Sequence, residues 1–284
     1  MKIGVSGASG QLGKVAVDEL LTRVAEHEIV AITRTPNSAS GQVESHYGDY
    51  DRPETLVGAY RGLDGLLVIP SADMRPGVRG RQFKAAIDAA VVAGVGHIVL
   101  VSTAGTRQAI EPSMFAAYWE GEQHLMKTAP ERTILRMNYY AQSFAQFVPM
   151  SFGSGVLTGL GEGRVAFVSR DDVAAAGAGI LLGAGRPGAI YNATGPIALS
   201  GTERAAVISE VTGKPMRFMA LAEDQLRAGM AGAGVPEPYI NSMVDIEKKF
   251  VEGSFDVVTG DVERLAGRKP RSLHNVLRAS LPQG

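Results

Sequence analysis

The sequence predicts a doubly wound α/β fold, in which a mostly parallel sheet carries helices on both faces. Through the first half of the chain, short apolar, β-branched runs alternate with longer segments of helical periodicity. Strict alternation of this kind builds parallel βαβ units, whose strands are apolar because both faces of the sheet are covered. The chain has 284 residues, of which 45% are hydrophobic, so it can bury the core of one large domain or two small ones.

The first strand and helix lie at the very start of the chain. Residues 2–7 form an apolar strand candidate, and residues 11–24 follow with helical periodicity. The predicted apolar face of this helix consists of Leu12, Val15, Ala16, Leu20 and Leu21. A short glycine-containing segment joins the two elements, which together begin a βαβ unit.

The same alternation continues to residue 138. The predicted second to sixth strands are residues 28–34, 43–49, 65–71, 97–103 and 132–138. The helices predicted between them are residues 53–62, 79–95 and 114–129. Pro53 stands at a favourable first helical position, and the third strand is the poorest of the set.

After Asn138 the regularity changes. Residues 139–163 are rich in Phe, Tyr and Gly, and a helix is then predicted at 170–185. Its opening residues, Asp171 and Asp172, suit the N-terminal end of a helix dipole better than a magnesium site. A strand is predicted at 189–195, followed by mostly helical sequence with a short strand at 216–221.

We therefore predict two interleaved domains. Residues 1–138 form the larger, sheet-containing domain, and residues 164–185 return to it. Residues 139–163 and 186–284 form a smaller, mostly helical C-terminal lobe that binds the substrate.

Composition excludes several classes of function. The net charge is −1 with scattered cations, which argues against nucleic acid or an anionic membrane surface as a partner. The absence of cysteine excludes disulfides, thiol nucleophiles and Cys-ligated metals. The histidines are dispersed without carboxylates at metal-ligand spacing, so no metal site is expected. The chain shows neither a signal peptide nor an apolar run of about 18 residues, which predicts a cytoplasmic protein.

Three evenly spaced glycines between the first strand and helix predict a dinucleotide site. Gly7 permits a tight turn, Gly10 lets backbone N–H groups reach a pyrophosphate, and Gly13 lets the helix pack close to the sheet. The helix N-terminus then holds the phosphate charge. The loop residues expected to share these contacts are Ser9, Gln11 and Leu12. The alternative is a plain strand–helix turn, which the further βαβ pattern disfavours.

The end of the second strand indicates which dinucleotide is bound. An NAD site usually places a carboxylate there for the ribose 2′-hydroxyl, whereas this chain has Thr33 and Arg34. A guanidinium can hold a 2′-phosphate through paired charge-assisted bonds, and Lys14 can add charge nearby. The sequence therefore predicts NADP(H) as cofactor. The alternative is that Arg34 is an ordinary solvated residue.

Further cofactor contacts are expected where other strands end, because ligands of such sheets bind at the carboxyl ends of the strands. The expected contacts are Asp49 and Tyr50 near the adenine, Ile69, Pro70 and Ser71 beside the ribose and pyrophosphate, Ser102 near the nicotinamide, and Asn138. Each of these segments can equally be an ordinary loop.

Several motifs together resemble one family. These are the G-x-x-G-x-x-G loop in SGASGQLG, the Gly48–Asp49 pair, LRMNYY at 135–140 and GDVERLAGRKPRSL at 260–273. They resemble the atypical short-chain dehydrogenases of the NmrA-like group, and within it the branch of NADPH:quinone oxidoreductase 2 and triphenylmethane reductase. The resemblance runs nearly end to end. It implies a Rossmann domain that binds NADPH across the top of the sheet, with substrate in a cleft beneath the smaller lobe.

The proton relay of ordinary short-chain dehydrogenases is missing. That relay is a Tyr-x-x-x-Lys pair on the helix after the fifth strand, where the lysine helps the tyrosine to pass a proton to a carbonyl. Here Tyr118 is followed four residues later by Glu122, whose charge opposes ionisation of a phenol, and Lys127 is too distant. Relatives often carry a lysine where Gly121 stands. Tyr118 is therefore expected to contribute positioning more than acid catalysis.

This absence favours hydride transfer to an electron-poor small-molecule acceptor, such as a quinone or a cationic dye, whose proton can come from water. The acceptor-binding candidates are the aromatic residues Trp119, Tyr139, Tyr140 and Phe144, with Phe147 and Phe152 beyond them. For Phe144, Phe147 and Phe152, a place in the core is the competing interpretation, because aromatic residues at helical spacing commonly pack inside.

The leading functional hypothesis is an NADPH-dependent oxidoreductase acting on quinones or related conjugated acceptors. The alternative is an NADP(H)-sensing regulator with little or no catalysis, as some NmrA-like proteins are. A benzylic ether reductase, a third class among relatives, is disfavoured by the missing lysine. The sequence leaves a homodimer open and does not name the physiological acceptor.

Overall fold

The structure, a computed structural model, describes residues 1–36, 42–73, 75–110 and 113–281. It contains two compact units, each assembled from several stretches of chain. The first unit comprises Met1–Met137, Arg170–Ala193 and Asp261–Arg268. The second comprises Asn138–Ser169, Thr194–Gly260 and Lys269–Gly284, of which the last three residues lie outside the described ranges.

The strands of the described chain are β1 (Ile3–Ser6), β2 (Ile29–Thr33), β3 (Glu44–Tyr47), β4 (Gly65–Val68), β5 (His97–Thr103), β6 (Arg132–Met137), β7 (Val156–Gly159), β8 (Ile190–Ala193) and β9 (Arg217–Ala220). The α-helices are α1 (Gln11–Leu21), α2 (Leu56–Tyr60), α3 (Val78–Val92), α4 (Met114–Thr128), α5 (Ala141–Phe147), α6 (Arg170–Gly179), α7 (Gly201–Thr212), α8 (Glu223–Gly232), α9 (Glu237–Val251), α10 (Asp261–Ala266) and α11 (Leu273–Ser280). None of these helices is long and apolar enough to cross a membrane.

The first unit is built on a seven-stranded sheet in the order β3-β2-β1-β4-β5-β6-β8, and every pair in it is parallel. The strand order reverses at β1, which lies between β2 and β4. At such a reversal the loops leaving the carboxyl ends diverge and open a crevice for ligands. The prediction of a doubly wound α/β fold is confirmed.

Local sequence explains why β1 and α1 form. β1 is apolar and fully buried, and α1 buries a stripe that repeats at helical spacing: Leu12, Gly13, Ala16, Val17 and Leu20. The prediction had placed Val15 and Leu21 on this face, but both are half-buried. The buried stripe is rotated relative to the predicted face because Gly13 faces inward. Val17, which lies one turn after Gly13, therefore faces inward as well.

Other elements differ from their predicted bounds mainly at the ends. The segment predicted as a helix from Pro53 begins as a 3₁₀ turn, Pro53–Thr55, before α2. α6 runs into a π-helical turn, Ile180–Ala184, inside the predicted 170–185 helix.

The division into units differs from the predicted domains at four places, the first being residues 164–169, which were predicted to return to the larger domain but belong to the second unit. β8 was assigned to the smaller lobe, but it pairs with β6 and extends the main sheet. α10 also belongs to the first unit, where it packs on α6 and β8. Asn138 belongs to the second unit. Short segments such as β8 and α10 carry no local signal that says which unit they join, since that choice depends on pairing and packing.

The second unit combines α5, α7, α8, α9 and α11 with a small parallel sheet of β7 and β9. α7 begins with a capping box, in which the Ser200 side chain accepts from the Glu203 backbone N–H and the Glu203 carboxylate accepts from Ser200. α8 and α9 share a small apolar core built on Leu226, Ile240 and Val244. The unit is mostly helical, as its sequence suggests.

Candidate functional site

The glycine loop joins β1 to α1 at the carboxyl edge of the sheet. The backbone N–H groups of Gly7 and Ala8 both donate to the Ile32 carbonyl oxygen, at 3.0 and 3.1 Å, which ties the loop to the end of β2. Gly7 has φ = +89°, a conformation that side chains rarely adopt. The turn at this position therefore requires glycine for backbone reasons alone.

Gly10 and Gly13 are glycine for different reasons. Gly10 is the N-cap of α1, and the one described atom near a Cβ placed there is the Gly7 carbonyl oxygen, at 3.3 Å. A Cβ on Gly13 would collide with that same oxygen and lie 2.7 Å from the Ala8 Cα. Gly13 thus lets α1 approach the backbone of the loop itself, rather than the sheet as predicted. Gly10 faces open space in front of the helix N-terminus, where backbone N–H groups and the helix dipole favour an anion.

The remaining loop residues divide between packing and exposure. Leu12 is buried in the core, whereas Gln11 is exposed at the first turn of α1. The Ser9 hydroxyl accepts a 2.7 Å hydrogen bond from the Thr33 hydroxyl. Thr33 is buried, so its side chain fastens the end of β2 to the loop.

Arg34 follows Thr33 and is exposed. Its side chain makes no hydrogen bond or ion pair with any residue that the structure describes. Lys14 is exposed as well. The end of β2 thus presents a guanidinium that is available to an anion, with no carboxylate of its own at residues 33–35.

The loop after β3 is a compact turn. The Asp49 carboxylate accepts from the Asp51 backbone N–H at 3.1 Å, and the Asp49 N–H donates to the Thr55 hydroxyl. Tyr50 points beneath the glycine loop, where its hydroxyl donates to the Ile69 carbonyl at 3.0 Å. Burial raises the pKa of the Tyr50 phenol above its usual value. Tyr50 therefore links two strand-end loops as a neutral donor, and this structural role accounts for its position.

A shallow surface depression lies at the carboxyl end of β4. Its lining consists of Tyr50, Val68, Ile69, Pro70, Ser71, Arg79, Gln82 and Phe83. The Arg79 guanidinium donates to the Ser71 carbonyl at 3.0 Å, and the Ser71 hydroxyl donates to Gln82. Neither Arg79 nor Gln82 was predicted from the sequence. The one available signal was their place on the predicted helix: both are polar residues at positions that face inward, where apolar residues are expected.

Ser102, at the carboxyl end of β5, belongs to a buried polar cluster. Its hydroxyl donates to the Glu122 carboxylate at 2.6 Å. Arg136 binds the same carboxylate with two bonds, of 2.9 and 2.6 Å, and these bonds raise the pKa of the guanidinium. Glu122 is fully buried, and Arg136 neutralises it. The Glu122 carboxylate is therefore held by residues of β5 and β6, and the expectation that its charge opposes ionisation of Tyr118 stays a prediction.

Tyr118 is 4% exposed and lies in the apolar core of the first unit. Its ring packs against Phe83, with centroids 5.7 Å apart, and the Arg79 guanidinium lies 5.3 Å from the ring centroid. Trp119, the next residue, is half-buried. Tyr118 therefore has a packing role that requires no chemistry.

In the second unit, the buried side chain of Asn138 fastens two stretches of backbone. Its amide nitrogen donates to the Phe255 carbonyl at 3.1 Å, and its amide oxygen accepts from the Tyr139 N–H at 2.7 Å. These bonds give Asn138 a structural task, and the prediction that it contacts a cofactor stays a prediction.

The second unit also contains an aromatic cluster, which consists of Tyr139, Phe144, Phe167, Phe250 and Phe255. Tyr139 meets Phe250 and Phe167 edge-on, at 5.3 and 6.0 Å between centroids. Phe144 packs against Phe167 at 4.9 Å, and Phe250 against Phe255 at 5.3 Å. Only Tyr139 and Phe144 were predicted, because the other rings lie far away in sequence.

The remaining predicted aromatics lie elsewhere. Tyr140 is half-buried at the N-cap of α5, and Phe147 is exposed. Phe152 stacks beneath the Lys214 ammonium, which is 4.3 Å from its ring centroid. Within the described ranges, no group of three or more His, Cys, Asp or Glu side chains is placed to hold a metal ion.

Known proteins are similar to this chain over most of its length. A model of the family described as NAD(P)H-binding matches residues 7–182, which is more than half of the chain. Quinone oxidoreductase 2 of Escherichia coli is 28% identical over 277 residues, covering 95% of this chain and 96% of that protein. The NAD(P)H azoreductase of Xenophilus azovorans is 28% identical over 284 residues, covering 97% and 96%.

Solved structures show the same likeness. The E. coli quinone oxidoreductase complexed with NADPH superposes with a TM-score of 0.91 at 28% identity, covering 98% of this chain and 99% of that one. The triphenylmethane reductase of Citrobacter sp. complexed with NADP(H) gives 0.91 at 29% identity, covering 99% and 100%.

Proposed function

The chain belongs to the NAD(P)H-binding family, and we propose that it is an NADPH-dependent oxidoreductase that transfers hydride to a quinone or a similar conjugated acceptor. The observation that carries the proposal is the glycine loop, where Gly13 brings α1 against the loop and Gly10 leaves the helix N-terminus open. The similarity to a quinone oxidoreductase, an azoreductase and a dye reductase over nearly the whole chain supports this class of acceptor.

The residues present fit a dinucleotide. The space in front of Gly10 suits a pyrophosphate, because a side chain there would fill it and the first-turn N–H groups face it. Ser9, Gln11, Asp49, Ile69 and Ser71 are the further proposed contacts along the carboxyl edge. The cofactor supplies the hydride, and the protein supplies orientation and electrostatics.

Arg34 supports NADPH over NADH. Its guanidinium is exposed and has no partner among the described residues. A 2′-phosphate would give it a charge-assisted partner, whereas a ribose hydroxyl would not. The Thr33 hydroxyl is already hydrogen-bonded to Ser9. In this proposal Thr33 therefore orients the glycine loop, and Arg34 binds the 2′-phosphate.

The proposed mechanism lacks a Tyr–Lys proton relay. Tyr118 is packed between Phe83 and Arg79, which supports a positioning role. Quinones and azo compounds delocalise the charge that hydride brings, so water can supply the proton afterwards. Proposed acceptor contacts are Trp119, Tyr139, Tyr140 and Phe144, of which Tyr139 and Phe144 belong to the aromatic cluster.

An NADP(H)-sensing regulator is the second candidate, favoured by the commitment of Tyr118 to the core. The two are separated by mixing the purified protein with NADPH and a panel of quinones, azo compounds, triarylmethane dyes and enones, and following absorbance at the NADPH band. The proposal expects turnover with at least one quinone. Tight NADPH binding without turnover of any acceptor would instead support the sensor.

A further inference from the structure

The second unit contains a buried arginine whose guanidinium lacks hydrogen-bond partners among the residues that the structure describes. Arg204 lies in the first turn of α7 and is 3% exposed. Two of its guanidinium nitrogens, Nε and Nη1, are buried, and no atom in the described part of the chain forms a hydrogen bond with them. Buried polar groups in native proteins are nearly always paired, so an arginine that is not requires an explanation.

Aromatic rings surround this guanidinium. Its Cζ lies 5.6 Å from the ring centroid of Phe250, 5.9 Å from Phe167 and 6.0 Å from Phe218. The ring faces attract a cation and compensate part of its lost hydration. Because arginine stays protonated in proteins, these rings enclose a permanent positive charge in a medium that screens it poorly.

The nearby acidic groups do not pair with Arg204 directly. Glu247 on α9 is half-buried, and its carboxylate accepts from the Leu160 backbone N–H at 3.1 Å. Burial raises the pKa of Glu247, and the charge of Arg204 offsets that rise in part. Glu162 is exposed and binds Thr202. Among the described residues, Arg204 forms no ion pair, so its charge is balanced only at a distance.

The same rings connect Arg204 to the proposed acceptor site. Phe250 and Phe167, which contact the guanidinium, also contact the Tyr139 ring at 5.3 and 6.0 Å. Arg204 is therefore separated from Tyr139 by one layer of aromatic side chains. The positive charge of Arg204 therefore acts electrostatically on a molecule bound beside Tyr139, although Arg204 does not contact that molecule.

We infer that Arg204 is a specificity-determining residue, which selects neutral or anionic conjugated acceptors, such as quinones and sulfonated azo compounds, against cationic triarylmethane dyes. The inference rests on the proposed function. A neutral quinone that accepts hydride becomes an anion, NADPH is oxidised to NADP⁺, and water then supplies the proton that completes the hydroquinone. Arg204 stabilises the developing anion. A dye cation is repelled before it reacts, and the hydride neutralises it.

The expected size of the effect follows from Coulomb's law. The two charges are that of Arg204 and that of the acceptor. At about 10 Å apart in an effective dielectric of about 20, their interaction changes the affinity for a charged acceptor by about tenfold. Glu247 reduces this value when it is ionised. The effects on the two acceptor classes have opposite signs, so their ratio is the sensitive quantity.

The test compares kcat/KM for a neutral quinone with kcat/KM for a cationic triarylmethane dye. Arg204→Met should lower the quinone-to-dye ratio by about tenfold, and Arg204→Lys, which keeps the charge, should leave it within about threefold of the parent. Glu247→Gln is the matched control, since it removes the opposing charge and should raise the ratio. Thermal unfolding identifies variants that fail to fold, and Glu247→Gln still tests the inference if Arg204→Met is among them.

An unchanged quinone-to-dye ratio in folded Arg204→Met, or in Glu247→Gln where Arg204→Met does not fold, overturns the inference. If the parent turns over no acceptor, the proposed function fails, and equilibrium binding of the two compounds to the NADPH complex becomes the readout. Loss of discrimination in Arg204→Met then still supports the role of Arg204, and equal discrimination in parent and variant overturns it.

Discussion

The glycine loop and the aromatic cluster are both proposed to bind ligands, but they are built in opposite ways. The loop occupies seven consecutive residues, 7–13, and its shape follows from backbone sterics at Gly7 and Gly13. The aromatic cluster gathers Tyr139 and Phe144 with rings from residues 167, 250 and 255. A motif that depends on local backbone is visible in sequence, whereas a cluster that depends on packing is visible only after folding. Substitutions in the two regions test this difference.

The largest effect is expected from Gly10→Val. The side chain would occupy the space in front of the helix N-terminus, where the pyrophosphate is proposed to bind, so NADPH binding should become undetectable by calorimetry. The free energy of unfolding should change by only about 1 kcal/mol, because the single close neighbour is the Gly7 carbonyl at 3.3 Å. Gly58→Ala is the control, since a Cβ added at Gly58 would meet no described atom within 4 Å outside its own helix backbone and chain neighbours. Retained NADPH affinity would show that the loop is only a turn.

Gly13→Ala tests the other glycine. Its methyl group would collide with the backbone of Gly7 and Ala8, and backbone cannot rotate away as a side chain can. Overpacking of this kind costs about 1–3 kcal/mol, so urea unfolding should show a lower midpoint, and NADPH binding should weaken with it. A variant as stable as the parent would contradict the close approach of α1 to the loop.

Arg34→Ala tests the cofactor preference. NADPH should bind about tenfold more weakly, which corresponds to about 1.4 kcal/mol, because one charge-assisted contact is lost. NADH affinity should stay nearly the same, and Arg61→Ala, a change of another exposed arginine, should alter neither. Fluorescence titration with both cofactors makes the measurement. Equal dissociation constants for NADPH and NADH in the parent would remove the basis of the preference.

Tyr118→Phe should have a small effect on catalysis. The ring and its contacts with Phe83 and Arg79 are retained, so quinone reduction should stay within about tenfold of the parent. General acid catalysis is typically worth about 10²–10⁴-fold. A thousandfold loss with unchanged cofactor affinity would mean that this phenol donates a proton without a lysine.

The smallest effect concerns Glu247. Its pKa is raised by burial above its ordinary value of 4.5, so the folded protein binds this proton more tightly than the unfolded chain does. Stability should therefore fall as pH rises from that value through the raised pKa, by at most about 1.4 kcal/mol per pH unit. Glu247→Gln removes the pH-dependent contribution of this carboxyl group. The unfolding free energy of the variant minus that of the parent should therefore increase as pH rises from 4.5 through the raised pKa. A constant difference would contradict the raised pKa.

The helix α4 shows contacts of a charged residue that the sequence did not predict. Spacing alone placed Glu122 next to Tyr118, one helical turn earlier. In the structure Arg136 and Ser102, from two neighbouring strands, bind the Glu122 carboxylate. Charge interactions of a buried carboxylate are decided by whichever partners packing brings to it, so local spacing could not predict them.

The sequence by itself determined three things. They are the strands and helices through β6 in their order along the chain, the glycine loop, and membership of a dinucleotide-binding family. The elements and the loop depend on periodicity and backbone sterics, which act between residues close in the chain, whereas the family was indicated by the resemblance of several motifs. Only the tertiary structure decided that β8 extends the sheet, that Glu122 pairs with Arg136, and that three phenyl rings enclose Arg204. Each of these joins residues distant in sequence, and such contacts form when burial makes their combined packing favourable rather than through any local preference.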